Sequence, residues 1–238
     1  MRFVLFIIAS VCFLTPMLAQ VVTDSVPNRT PSVKDTVTIV GVGDIMMGTN
    51  YPENKLPEAN GATLMKAVEP YLQDADITFG NLEGTLLDSG GTPKTCRDPK
   101  VCYVFRTPVS FVDNLTRAGF DLMSLANNHA GDFGETGRLS TMNTLEAAGI
   151  KHAGQLTQKF TLLEKDSIKY GLVAFAPNSG CVSLNDLPGA RQLVQHLDSI
   201  CDIVIVSFHG GAEGAQFQNV PRQNELFHGE NRGDVYKF

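Results

Sequence analysis

Four short polar segments of this chain hold the residue types that bind divalent metal ions and transfer protons. Each segment follows an apolar run that stops abruptly, and in chain order they hold Asp44, then Asn81 and Glu83, then Asn128 and His129, and finally His209. Carboxylate, amide and imidazole groups are suitable ligands for borderline divalent ions such as zinc, manganese or iron. A metal ion held there would polarise a phosphoryl or carbonyl oxygen, so hydrolysis is the expected reaction class.

The segment 124–134, SLANNHAGDFG, concentrates most of this chemistry. If the amide oxygen of Asn128 binds the metal ion, His129 lies beside the reacting centre without binding the ion. An imidazole titrates near neutral pH, so His129 is the candidate general acid that protonates the leaving group. We expect Asp132 either to hold the imidazole ring or to fix the loop through backbone hydrogen bonds.

Each of these residues, taken alone, also has a purely structural explanation. Asp44 could be a turn residue or a helix cap, and Asn81 could form an Asx turn. Asn127 and Asn128 could close the strand by capping the loop that follows. An isolated histidine such as His209 is more often a hydrogen-bonded core residue. The case for a site is that all four segments fall at the strand ends where ligands gather in parallel sheets.

The elements that must position these residues alternate between strand and helix patterns. Strand-like apolar runs cover 37–42, 75–81, 120–128 and 201–210. Helical patterns cover 61–73, 109–118, 137–148 and 188–199, and a β-hairpin pattern covers 161–176. The continuous β-branched run at 37–42 predicts a strand that is buried on both faces. The alternation predicts an α/β fold, a layered and mostly parallel sheet flanked by helices, whose strand ends share one edge.

Composition and charge indicate which classes of partner this protein binds. The 238 residues are 43% hydrophobic and 18% charged, which suits one globular domain. A formal net charge of −6 gives no overall attraction for nucleic acid or an anionic membrane, so we expect no nucleic-acid partner. An anionic substrate would need a local cation, and a bound metal ion is the obvious candidate.

The N-terminus has the layout of a signal peptide. A basic residue near the start precedes an apolar run at 3–14, and the pattern predicts residues 1–19 as the signal peptide, cleaved after Ala19. The alternative is a membrane helix, but the run is shorter than the roughly 20 residues that a span needs. Residues 20–35 are expected to be a flexible lead-in to a domain at 36–238. The protein is therefore expected to be exported, to the periplasm, cell surface or exterior.

Four cysteines remain after the expected cleavage, an even number in an oxidising compartment. Cys96 and Cys102 flank a polar, turn-like spacer, so a local disulfide between them is the first choice. Cys181 with Cys201 is then the remaining pairing, although four cysteines allow three connectivities. None of these cysteines has the spacing of a zinc site.

Four motifs together resemble a known family. GVGDIMMG, FGNLEGTL, SLANNHAGDFG and SFHGGAEG, in this order, are similar to motifs of the bacterial capsule-synthesis family of poly-γ-glutamate proteins. That family resembles a branch of the calcineurin-like metallophosphatase superfamily. The resemblance runs from about Thr36 to the C-terminus and includes the segments FRTP, AGFD and TLEAAGI. It implies a metallophosphatase-like fold.

The resemblance also implies roles for individual residues. The metal-site positions are Asp44, Asn81, Glu83, Asn128 and His209, with manganese, zinc or iron as the ion. His129 matches the histidine of the family's Asn-His pair and takes the role of the acid, with Asp132 beside it. Glu213 matches an acidic position that is expected to contact substrate or metal.

Two departures from the family pattern alter what we expect of the metal site and of the domain. Met46 stands where the superfamily usually has a histidine, and a thioether is a poor ligand for a borderline ion, so a full two-metal site is not expected. Family members also continue past Phe238 into a segment with further metal-site histidines. We therefore expect this chain to be a C-terminally truncated form of such a domain.

Two functions fit these residues. The first is an exported metal-dependent hydrolase in capsule or poly-γ-glutamate biosynthesis, acting on a phosphoester or an amide of an anionic polymer together with the capsule-synthesis machinery. The alternative is a non-catalytic factor that binds or exports an anionic polymer through the same pocket. A purely structural surface domain would leave the four polar segments unexplained. The sequence has no dinucleotide fingerprint, P-loop or nucleophile elbow.

Overall fold

Two stacked β-sheets form the centre of the chain in a computed structural model, which describes residues 36–96, 99 and 102–238. The expected signal peptide and lead-in, residues 1–35, lie outside the described residues. In chain order the strands are β1 (Ile39–Ile45), β2 (Ile77–Leu82), β3 (Thr85–Leu86), β4 (Arg106–Thr107), β5 (Leu122–Ser124), β6 (Lys151–Ala153), β7 (Phe160–Lys165), β8 (Ile168–Phe175), β9 (Ile203–Phe208), β10 (Glu225–Phe227) and β11 (Glu230–Gly233). The helices are α1 (Glu69–Gln73), α2 (Val112–Ala118), α3 (Gly134–Ala147) and α4 (Leu187–Asp198). Short 3-10 turns cover Glu58–Gly61, Val109–Phe111 and Ala215–Phe217.

The first sheet is fully parallel and has the strand order β1-β2-β5-β6. The second sheet has the order β7-β8-β9, in which β7 and β8 form the predicted antiparallel hairpin and β9 joins β8 in parallel. Two small pairs complete the strands, β3 with β4 and β10 with β11. The expected α/β fold with a mostly parallel, helix-flanked sheet is confirmed.

The two sheets pack against each other, and helices cover their outer faces. Leu122 of β5 and Leu172 of β8 belong to one buried cluster between the sheets. The next residues along each strand point outward: Met123 packs with α1, α2 and α3, and Val173 packs with Leu197 of α4. This alternation follows from the two-residue period of a strand, and it yields four layers in the order helix, sheet, sheet, helix.

Three details of the predicted elements are wrong. The apolar run at 201–210 forms β9 in the second sheet, so the strands do not share a single sheet. β1 is an edge strand with Ile39 exposed, so it is not buried on both faces. The helix expected at 61–73 begins only at Glu69, because Pro70 has no backbone N–H and its ring clashes with a helical residue four positions earlier.

Among the described residues, only one of the two expected disulfides is formed. Cys96 and Cys102 form a disulfide, as predicted, whereas Cys181 and Cys201 are both free. The predicted Cys181–Cys201 pair is wrong because Cys181 is buried among small side chains near Ala126, whereas Cys201 packs against Leu197 of α4. No helix among the described residues has the length and apolar character needed to cross a membrane.

Candidate metal centre

Three candidate ligands converge at one edge of the two sheets. Asp44 lies near the end of β1, Glu83 directly follows β2, and His209 directly follows β9. One ligand atom from each of the three lies within 4.8 Å of the other two. Since β9 belongs to the second sheet, the centre lies where the carboxyl ends of both sheets meet, and not at the edge of one sheet.

His209 links the ligands of the first sheet. Its Nδ1 lies 3.5 Å from Oδ1 of Asp44, and its Nε2 lies 2.8 Å from Oδ1 of Asn128. Oε1 of Glu83 is 4.0 Å from the same Nε2 and 3.9 Å from Nε2 of His129. The His209 ring therefore stands between a carboxylate and an amide, with a second carboxylate facing it.

The two carboxylates of the centre have opposite pKa shifts. The hydrogen bond with His209 lowers the pKa of Asp44 and outweighs the opposing effect of burial, and a weaker contribution from the hydrogen bond of Asn81 lowers the pKa further. Burial raises the pKa of Glu83, and the negative charge of Asp44 raises it further. A cation between the two carboxylates would favour the charged form of Glu83 and so oppose the raised pKa.

These residues fit a divalent ion. Two carboxylates and an imidazole make a mixed oxygen and nitrogen donor set, which suits zinc, manganese or iron. Asp44, Glu83 and His209 would hold the ion, and Asn128 is the adjacent donor. Met46 is half exposed.

A chain of amide side chains orients this edge. Nδ2 of Asn81 donates to Oδ1 of Asp44 at 2.7 Å, and Oδ1 of Asn81 accepts from Nδ2 of Asn127 at 3.1 Å. Oδ1 of Asn127 in turn accepts from the backbone N–H of His129 at 3.0 Å. Asn81 thus positions the carboxylate of Asp44, while its role as a direct metal ligand stays a prediction. Asn127, which the sequence suggested only as a cap, connects the ligand side to the acid side.

His129 and Asp132 form a buried pair beside the centre. Nδ1 of His129 lies 2.8 Å from Oδ2 of Asp132, and Asp132 is completely buried. Oδ2 of Asp132 also accepts from the backbone N–H of Phe105 at 2.6 Å. The two expected roles of Asp132, orienting the ring and fixing a loop, are therefore both present. The other ring nitrogen, Nε2, faces Glu83.

Two neighbours of this pair have no signal in the sequence. Nζ of Lys94 lies 2.6 Å from Oδ1 of Asp132, and the ring of Phe105 lies 4.3 Å from the ring of His129, centroid to centroid. Lys94 belongs to a polar segment without periodicity or a motif, and Phe105 to the FRTP segment that was noted only for its family resemblance. Their position depends on the paths of two loops, which local sequence patterns do not specify.

Glu213 borders the centre and is held by a buried arginine. Nη2 of Arg232, on β11, lies 2.7 Å from Oε1 of Glu213, and Nε of Arg232 donates to the carbonyl of Gly211 at 3.0 Å. After burial and Asp44, the charge of Glu213 also contributes to the raised pKa of Glu83. Its contact with substrate or metal stays a prediction, and Arg232 is a further residue that the sequence did not indicate.

Two curated relatives cover most of this chain. It is 27% identical over 216 residues to "Capsule biosynthesis protein CapA" of Bacillus anthracis, covering 81% of this chain and 50% of that protein. It is 26% identical over 221 residues to "PGA biosynthesis protein CapA" of Bacillus subtilis, covering 83% of this chain and 56% of that protein. The chain thus spans about half the length of these relatives.

A solved structure and a family match complete the comparison. The crystal structure of a "Putative 5'-Nucleotidase from Staphylococcus aureus in complex with alpha-ketoglutarate" has a TM-score of 0.45 and 16% identity, covering 84% of this chain and 42% of that one. Residues 38–229 match the family "Bacterial capsule synthesis protein PGA_cap". Since this match extends over most of the sequence and agrees with the resemblance of the four motifs, the chain belongs to the bacterial capsule synthesis family PGA_cap.

Proposed function

We propose that this chain carries a divalent-metal-dependent hydrolase site that acts in capsule or poly-γ-glutamate biosynthesis outside the cytoplasm. The observation that carries the proposal is the convergence of Asp44, Glu83 and His209 within 4.8 Å of one another. The buried His129–Asp132 pair lies directly beside this group. Membership of the PGA_cap family supports the biological process.

The side chains around the centre divide the chemistry between them. A bound zinc, manganese or iron ion would supply Lewis acidity, and Asp44, Glu83 and His209 would hold it. A carboxylate only accepts hydrogen bonds, so the 2.8 Å contact with Asp132 assigns a hydrogen to Nδ1 of His129. This leaves Nε2, which faces Glu83, as the atom that delivers a proton to the leaving group.

The groups behind His129 support this role. The carboxylate of Asp132 orients the ring, as in other carboxylate–imidazole pairs. The ring of Phe105 covers the imidazole at 4.3 Å and limits the access of water. The backbone N–H of His129 is fixed by Asn127.

The proposed substrate is a phosphoester or a γ-glutamyl amide of an anionic polymer. The net charge of −6 does not attract such a polymer over long distances. Attraction must therefore come from local cationic groups, of which the metal ion at the two-sheet edge would be the strongest.

A second candidate is an anionic-polymer binding or export factor without turnover, which would use the same pocket. It is favoured by the 2.8 Å contact between Asn128 and His209, in which two expected ligands bond to each other, and by the methionine at position 46. The two candidates differ in what they require of His129.

Replacing His129 separates the two functions. The purified chain is loaded with manganese or zinc and assayed on bis(p-nitrophenyl) phosphate and on a γ-glutamyl oligopeptide, with bound metal measured in parallel. His129→Ala is expected to keep the ion and to lower turnover at least about 100-fold, the usual contribution of a general acid. His196→Ala, which changes an exposed histidine on α4, is the matched control. Metal binding with no turnover of either substrate by the wild-type chain would favour the polymer-binding function.

A further inference from the structure

We propose that Lys94 is a positioning residue of this site: its ammonium group holds the buried carboxylate of Asp132 and thereby fixes the orientation and tautomer of His129. This inference rests on the proposed hydrolase function for its catalytic consequence, but its structural part stands on the contacts of Lys94 alone.

Asp132 is a buried acidic residue. Its side chain has no exposed surface, and an ionised carboxylate in such a place requires compensating charge or hydrogen bonds. Oδ2 has two partners, Nδ1 of His129 and the backbone N–H of Phe105. Oδ1 is buried without a hydrogen-bond partner among the described residues, and Nζ of Lys94 forms an ion pair with it at 2.6 Å. Lys94 is therefore the group that compensates the second oxygen.

Lys94 is also bonded to other groups of the loop that carries His129. Nζ of Lys94 also donates to the carbonyl of Asn128 at 3.2 Å and lies 3.3 Å from Nδ1 of His129. Its backbone N–H donates to the carbonyl of Asp132 at 2.8 Å. Lys94 is thus bonded to the His129 loop at Asn128 and at Asp132, and only a quarter of its side chain is exposed.

The segment that carries Lys94 is itself held in place. Cys96 follows it closely in the chain and is joined by a disulfide to Cys102, which precedes Phe105. Both flanks of the disulfide therefore contact the same carboxylate, Asp132. This covalent closure reduces the freedom of the segment that presents Lys94.

The contact between Lys94 and Asp132 affects which ring nitrogen of His129 carries the hydrogen. If the ammonium of Lys94 satisfies Oδ1 of Asp132, Oδ2 is left to accept from Nδ1 of His129, which keeps Nε2 directed at the centre. Without Lys94, the Asp132 carboxylate can turn toward other donors and the ring loses its fixed partner. Groups that orient a reacting side chain in this way commonly change activity by about 10- to 100-fold.

The test uses Lys94→Met in the metal-free chain with 15N-labelled histidine. Two-bond 1H–15N NMR at about pH 8, above the ordinary pKa of histidine, reports the tautomer of each ring. We expect wild type and Lys94→Arg to show His129 as the Nδ1–H form, and Lys94→Met to show a mixture with the Nε2–H form. Lys165→Met removes another lysine–aspartate pair, with Asp121, and is the matched control that should resemble wild type.

An unchanged His129 spectrum in Lys94→Met overturns the proposal. The signals of the other histidines show whether the variant is folded. If Lys94→Met is not folded, Lys94→Gln is measured instead. A mixture of His129 tautomers then supports the proposal, and an unchanged His129 spectrum overturns it. In the metal-loaded protein, Lys94→Met should keep its ion, lower kcat about 10- to 100-fold and leave KM nearly unchanged. If the wild type binds metal without turnover, the hydrolase proposal fails, while the NMR result still decides the role of Lys94.

Discussion

At the scale of single residues, the centre works through contrasts between chemically similar groups. Asp44 and Glu83 are both carboxylates, but hydrogen bonding to His209 lowers the pKa of the first and burial raises the pKa of the second. His129 and His209 are both imidazoles, but one is paired with a buried carboxylate and the other lies among candidate ligands. In the proposed function, the first environment serves proton transfer and the second serves metal binding.

The sequence revealed part of this arrangement. Asp44, His129 and His209 could be predicted as site residues because each follows a strand-like apolar run, although His209 reaches the shared edge from the second sheet. Lys94 and Arg232 could not be predicted, because they reach the site from loops and a hairpin whose paths depend on tertiary packing.

A histidine remote from the centre gives a prediction about stability. His152 on β6 is buried, and burial lowers its pKa from 6.5, although the nearby carboxylate of Glu146 opposes the shift. The unfolded chain therefore takes up this proton first as the pH falls. The contribution of neutral His152 to stability is present above about pH 6.5 and is lost as the pH falls from there toward the lowered pKa.

Urea unfolding of wild type and His152→Gln measures this contribution. Between about pH 7.5 and about pH 5.5, the wild type should lose more free energy of unfolding than the variant. Equal losses in the two proteins would show that His152 does not titrate differently in the folded and unfolded states.

At the scale of elements, sequence patterns identified strands and helices better than they assigned strands to sheets. The hairpin of β7 and β8 and the helices α3 and α4 lie close to their predicted positions, because turn residues mark the ends of each. The position of β9 in a second sheet was missed. An apolar run has the same pattern in either sheet, and its partner is decided by packing between distant residues.

Gly154 offers a prediction about the contact between the sheets. It follows β6 with φ of +110°, and a Cβ atom there would lie 2.7 Å from Cβ of Ala126 and 3.0 Å from Cβ of Ala174 on β8. Gly154→Ala should therefore lower the free energy of unfolding by about 2–5 kcal/mol, from backbone strain and overpacking together.

Chemical denaturation measures the free energy of unfolding of Gly154→Ala, with Gly43→Ala as the control. A Cβ atom added to Gly43 would meet no other atom within 4 Å, and Gly43 has no positive φ, so its replacement should change stability by less than about 1 kcal/mol. Equal stability of the two variants would contradict the close packing of the sheets at Gly154.

At the scale of the whole molecule, the two-sheet arrangement explains how distant parts of the chain form one centre. Helices cover the outer faces of both sheets, and the carboxyl ends of β1, β2 and β9 are left to meet at a shared edge. The family assignment connects this architecture with capsule synthesis, and the metal centre is the proposed link between the fold and its chemistry.

Metal binding by the purified chain tests this central proposal most directly. Metal analysis after equilibration with zinc or manganese should find about one ion per folded wild-type chain, and both Asp44→Ala and His209→Ala should lose it, because each removes a ligand from a different sheet. A well-folded wild-type chain that binds no ion, or full binding retained in both variants, would contradict a centre built from the two sheets.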